Sequence, residues 1–111
     1  MTKKHVAGIC VGASNIKIVT GEMLDGRLKV AQQIVKPHDG NARKVLSDLL
    51  HEHTGPDFLV AVTGRKLREQ IPLPQISEPE ATELALQYTL DDLPEKVDAA
   101  ASVGGENFMV Y

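Results

Sequence analysis

Hydrophobic and polar positions alternate along the first third of the chain and then change period. Residues 4–11 and 15–22 are two runs rich in β-branched and small apolar residues, parted by "GAS", where glycine can take the positive φ that a tight turn needs. The pattern predicts an antiparallel pair. A third run, "RLKVAQQIVK", follows Asp25-Gly26, a dipeptide that favours a two-residue hairpin. Leu28, Val30 and Ile34 alternate there with polar neighbours, as in a strand with one covered face. After "KPHDGN" the spacing becomes helical: Ala42, Val45, Leu46, Leu49, Leu50 and His53 fall on one side, Asp39 or Asn41 can cap the start, and Gly55 with Pro56 ends the run. A helix over 42–53 is expected.

"DFLVAVTG" is a nearly unbroken apolar run of strand length, as expected for a strand buried on both faces of a sheet. With the helix as its crossover, it should lie parallel to the first strand. In "ISEPEATELALQYTL" Ser77 and Glu80 have capping-box spacing, Pro79 suits a first helical turn, and Ala81, Leu84, Ala85 and Tyr88 make one face. "DAAASVGGENFMVY" then repeats the opening design, with Gly104-Gly105 as its turn. The fold class is α/β, with a mixed five- or six-stranded sheet and flanking helices. Because the sequence stops inside what should be a return strand, residues 1–111 are expected to be a lobe of a longer protein. The exposed last strand would then favour self-association.

Composition narrows the function classes. At 111 residues the chain supports one core. A net charge of -3, with the basic residues scattered, provides no cationic stripe for a phosphate backbone, which argues against a nucleic-acid partner. The single cysteine, Cys10, rules out an internal disulfide and sits inside an apolar run, as a small core residue would. No segment approaches the roughly 20 apolar residues of a bilayer span, so no membrane association and a cytoplasmic location are expected. The histidines of "HEH" at 51–53 stand two apart, not the four that place two ligands on one helix face. No residue is assigned a catalytic or metal-binding role.

Two strand–glycine–strand units, at Gly12 and at Gly104-Gly105, can each be plain hairpin turns; together they fit a design in which two hairpins present backbone N–H groups to phosphate. "GICVGASNIK" resembles the first phosphate loop of the actin, sugar kinase and heat-shock chaperone ATPase superfamily, and particularly that of the activator ATPases of 2-hydroxyacyl-CoA dehydratases and benzoyl-CoA reductases. Those activators carry Gly-Ile-Asp-Val-Gly-Ser-Thr-x-x-Lys, matched here by Gly8, Ile9, Val11, Gly12 and Lys17. Thr63 and Gly64 resemble their Thr-Gly turn, "ISEPEATELA" their next helix start, and "SVGGENFMVY" their second phosphate loop. The resemblance implies a ribonuclease H-like, actin-type subdomain. It assigns phosphate contacts to Gly12, Ala13, Ser14, Lys17, Gly104, Gly105 and Glu106, although Lys17 reads equally as an outward strand lysine. ATP or ADP with Mg²⁺ would be bound in a full-length parent, together with a missing C-terminal lobe and a dehydratase- or reductase-type partner.

The departures from that pattern are as specific as the matches. Cys10 stands where the superfamily has an acidic residue that positions Mg²⁺, and Ser102 stands where a second acidic residue precedes the later Gly-Gly. The cysteines that hold the activators' iron–sulfur cluster have no counterpart, so no cluster ligands are present. The expected function is therefore the phosphate-loop lobe of an activator-type ATPase, inactive alone. The alternative is a degenerate lobe kept as a partner or intersubunit interaction module.

Overall fold

The computed structural model describes residues 3–64, 73–90, 99, 101–103 and 108–110. The chain runs β1 (Lys3–Val11), β2 (Asn15–Leu24), β3 (Arg27–Pro37), α1 (Ala42–His53), β4 (Phe58–Gly64), α2 (Glu78–Leu90), β5 (Ala101–Val103) and β6 (Phe108–Val110). The first four strands form a mixed sheet in the order β3-β2-β1-β4. β1 pairs antiparallel with β2 and parallel with β4, and β2 pairs antiparallel with β3. At the start of the parallel pair His5 lies opposite Phe58, and their rings stack with centroids 5.2 Å apart. Asp25 and Gly26 both take positive φ, 53° and 78°, as the hairpin turn favoured by that dipeptide requires.

The core lies between the sheet and α1. Alternation along β1 and β2 turns Ile9, Val11, Ile16 and Ile18 to one face, where they meet Ala42, Leu46 and Leu49 of α1 and Val62 of β4. Burying each large aliphatic side chain is worth about 1.5–3 kcal/mol. α1 matches its predicted limits. Its N-cap is Asn41, whose side chain makes no capping bond. Asp39 instead takes a left-handed turn conformation with Gly40, at φ 49° and 79°. At the start of α2 the expected cap is present: the Glu80 N–H donates to Ser77 Oγ at 3.3 Å.

Three expectations need correction. The main sheet has four strands among the described residues, and β5 pairs with β6 in a separate two-stranded sheet. The outer edge of β4, where a further strand would have joined, is bonded at Val62 by the segment before α2: the Val62 N–H donates to Pro74 O at 2.9 Å and the Ile76 N–H to Val62 O at 3.0 Å. β4 is also not buried on both faces, because Val62 is 1% exposed but Leu59 is 60% exposed. Finally, Leu84 and Tyr88 of α2 are exposed. Ala81, Thr82 and Leu86 are half-buried instead, and the Tyr88 hydroxyl donates to Leu28 O at 3.4 Å.

Candidate functional site

The β1–β2 turn, residues 12–14, projects from the sheet end at which β1 and β4 finish. The Gly12 N–H closes the turn on Asn15 O at 2.9 Å, and the His38 N–H donates to Ser14 O at 3.0 Å. Among the described residues the N–H groups of Ala13 and Ser14 have no partner. The loop therefore presents two consecutive donors, as an anion-binding turn does.

His38 braces this loop. The Gly40 N–H donates to His38 Nδ1 at 3.2 Å, and His38 Nε2 lies 3.0 Å from Gly12 O. An accepting Nδ1 leaves the proton on Nε2, so Nε2–H donates to the Gly12 carbonyl. The loop, His38 and the first turn of α1 border an open cleft of about 430 Å³ lined by Val11, Gly12, Ala13, His38, Asn41 and Arg43 among others. That turn contains no acidic residue, so it does not oppose an anion with side-chain charge.

Lys17 lies elsewhere. It is opposite Cys10 in the β1–β2 register, on the sheet face turned away from α1, and lines a different cavity with Cys10 and Thr63. The structure thus brings Gly12 and Ala13 together with His38 and Arg43, and leaves Lys17 in the lining of a different cavity. Gly104, Gly105 and Glu106 lie outside the described residues. Sequence pattern does not single out His38 or Arg43; the local signal is the polar, glycine-containing stretch "KPHDGN" leading into a helix start, whose evident meaning is a cap.

Beside Lys17, burial pushes the Cys10 thiol above its ordinary pKa, the Glu78 carboxylate pushes it in the same direction, and Lys17 opposes both. Thr63, its register neighbour on β4, has a buried Oγ1 without a hydrogen-bond partner among the described residues, a state that costs about 1–3 kcal/mol. A protonated thiol is a poor donor to a hard cation. These residues do not fit a Mg²⁺ ion at the end of β1, and no group of three or more His, Cys, Asp or Glu placed to hold a metal occurs among the described residues. None of the described helices is long and apolar enough to cross a membrane.

Gly64 closes the end of β4 against β1. Its φ is +129°, and a Cβ there would run into the backbone of Val11. Only glycine lets the two strand ends meet this closely.

No family model and no curated protein matches the chain. The fold is similar to that of the Aquifex aeolicus PPX-GPPA enzyme, with a TM-score of 0.59 and 18% identity over 96% of this chain and 47% of that one. A second structure of the Aquifex aeolicus Ppx/GppA family member gives 0.56 and 14% identity over 99% and 51%. The type II variant of the Aquifex aeolicus Ppx/GppA phosphatase gives 0.54 and 15% identity over 95% and 46%. The chain spans about half the length of these proteins. The architecture is an α/β subdomain of the ribonuclease H-like, actin-type fold, similar to about half of each of these Ppx/GppA structures.

Proposed function

We propose that this chain is the phosphate-loop lobe of an actin-type nucleotide-binding protein, and that it binds phosphate oxygens without hydrolysing nucleotide alone. The observation that carries this reading is the braced β1–β2 turn, with its open Ala13 and Ser14 N–H groups. The fold neighbours include a phosphatase, which supports the same ligand class. Phosphoryl transfer to water depends on positioning and charge stabilisation, commonly by a held metal, and Cys10 supplies no carboxylate for one. In a parent protein, ATP or ADP would lie between this lobe and a second one.

The finer reading is the activator-type ATPase linked to acyl-CoA dehydratase and reductase systems. It rests on Gly8, Ile9, Val11, Gly12 and Lys17 in the opening hairpin and on Thr63 and Gly64 after it. The alternative, a lobe retained for contact with a partner, draws on Cys10 in place of an acidic residue and on the exposed Val35 and Leu59.

Calorimetry with ATP, ADP and inorganic phosphate tests the reading. The wild-type chain should bind weakly, and Ala13→Pro, which deletes one open donor, should bind less. Equal binding by Ala13→Pro, or no binding of any of the three, would remove the phosphate-loop assignment and leave the interaction module.

A further inference from the structure

The two edges of the four-stranded sheet end differently. Pro74 and Ile76 bond to Val62 on β4, whereas β3, the longest of the described strands, pairs only with β2 among the described residues. An edge strand left this way presents a row of N–H and C=O groups with which a further strand can pair. The two-residue Asp25-Gly26 turn fixes which they are. It makes Leu24 and Arg27 the hydrogen-bonded pair beside the turn, so Leu28 and Val30 direct their backbone groups outward. The Tyr88 hydroxyl, 3.4 Å from Leu28 O, meets one of these groups. Over residues 30–36 the edge has no such cover among the described residues.

The open stretch is bounded by cations. Lys29 stands before it, Lys36 closes it, Arg27 lies nearer the turn, and β3 carries no carboxylate. All three cations are exposed, and none is in an ion pair among the described residues. The carboxylate across the ladder from Lys29 is Glu22, which is held by Lys3 at 3.1 Å, and Asp25 stands in the turn. Between the two lysines Ile34 is half-buried and Val35 is 61% exposed, an apolar middle. Lysines on an edge keep like copies apart: a second β3 would double the cations along the seam and add no carboxylate. The same lysines favour an acidic strand, because opposite charges across a strand pair attract. We infer that the β3 edge is a docking site for an extended acidic segment of a partner protein. Its backbone pairs with residues 30–36, its carboxylates meet Lys29 and Lys36, and its apolar middle covers Val35. The surface is apart from the β1–β2 loop, and its test uses no nucleotide.

The 111-residue chain is titrated with three short capped peptides: one with glutamates at both ends and valines between, one with lysines at the ends instead, and one of glutamate alone. Calorimetry gives the affinities, and amide hydrogen exchange read by NMR gives the place. The glutamate–valine peptide should bind at least about tenfold more tightly than either of the others, and it should slow exchange at Val30, whose N–H faces outward. Only alternate amides of an added strand face the edge, so N-methylating one alternate set should abolish binding and N-methylating the other should not. Lys29→Gln combined with Lys36→Gln, both exposed changes that should leave the fold intact, should remove the preference over the lysine-ended peptide. Absence of binding, equal affinity for the glutamate-only peptide, indifference to which amides are methylated, or an unchanged preference in the double variant would each overturn the inference. Dimerisation of the chain alone with Val30 protected would also overturn it, by giving the edge to a second copy.

Discussion

His38 and Gly12, 26 residues apart, are joined by a 3.0 Å hydrogen bond from the imidazole to the loop carbonyl. The bond ties the end of β3 to the turn between β1 and β2, so the strand that is farthest from β4 helps to set the shape of the candidate phosphate loop.

Replacing His38 by Ala should destabilise the chain by about 1 kcal/mol, the usual net value of a hydrogen bond. Gln, whose amide can stand in for Nε2–H, should recover part of that loss. Urea denaturation measures the first effect. Phosphate binding should weaken in the same order, wild type above Gln above Ala. Unchanged binding in the Ala variant would separate the brace from the site.

Gly64→Ala and Gly8→Ala form a contrasting pair. The first places a Cβ against the Val11 backbone at a φ of +129°, and the second opens onto empty space. Gly64→Ala should cost several kcal/mol, about 3 or more, because backbone strain and steric overlap combine. Gly8→Ala should lie within about 0.5 kcal/mol of wild type or above it. Chemical denaturation of both variants checks the contrast.

Leu49 is 1% exposed and packs in the α1 core. Leu49→Ala should cost about 2–5 kcal/mol by transfer and cavity terms together. Truncating Leu84, which is 52% exposed on α2, should change stability by less than about 0.5 kcal/mol. Thermal unfolding of the two variants gives the comparison.

The Cys10 pKa is raised in the folded chain above its ordinary value of 9.0, mainly by burial and then by Glu78. Above that value the unfolded chain gives up its thiol proton before the folded chain does, so the unfolded state gains relative stability. The contribution is fully present below 9.0 and is lost as pH rises through the folded pKa. Urea midpoints measured from neutral to alkaline pH should fall more for wild type than for Cys10→Ala. Alkylation of Cys10 at neutral pH should be slower than that of an exposed thiol, since the thiolate is the reactive form.

ATP hydrolysis by the chain should stay at the background rate with or without Mg²⁺, as measured by phosphate release. Turnover by the wild-type chain would mean that a group other than Cys10 positions the metal or the water.

The strands and α1 were legible because each has a clear period. The Asp25-Gly26 turn and the Ser77 cap were legible because short polar side chains and glycine signal locally. The number of strands in the sheet was not. Nothing local in "LPQI" marks Pro74 and Ile76 as bonding partners of Val62, and edge pairing is decided by tertiary packing rather than by propensity. The helical spacing of α2 marks Leu84 and Tyr88 as inner-face residues, yet both are exposed, and the sheet face beside the helix carries the small residues Gly8 and Ala61. In the candidate site, Gly12 to Ser14 could be named from the sequence, but His38 could not, since its role depends on a contact made across 26 residues.

The parallel register of β1 with β4, from His5 opposite Phe58 to Val11 opposite Gly64, bears on how the chain folds. The meander β1-β2-β3 needs only short closures, and hairpins form within about 1–10 μs. Joining β4 to β1 closes a loop holding both hairpins and α1, and the entropy of that closure is spent before the contact forms. The order of events follows: a three-stranded meander and a nascent helix come first, and docking of β4 completes the nucleus. Variants at Val62 would then slow folding together with those at Ile9, while changes near the Asp25-Gly26 turn would act at an earlier step.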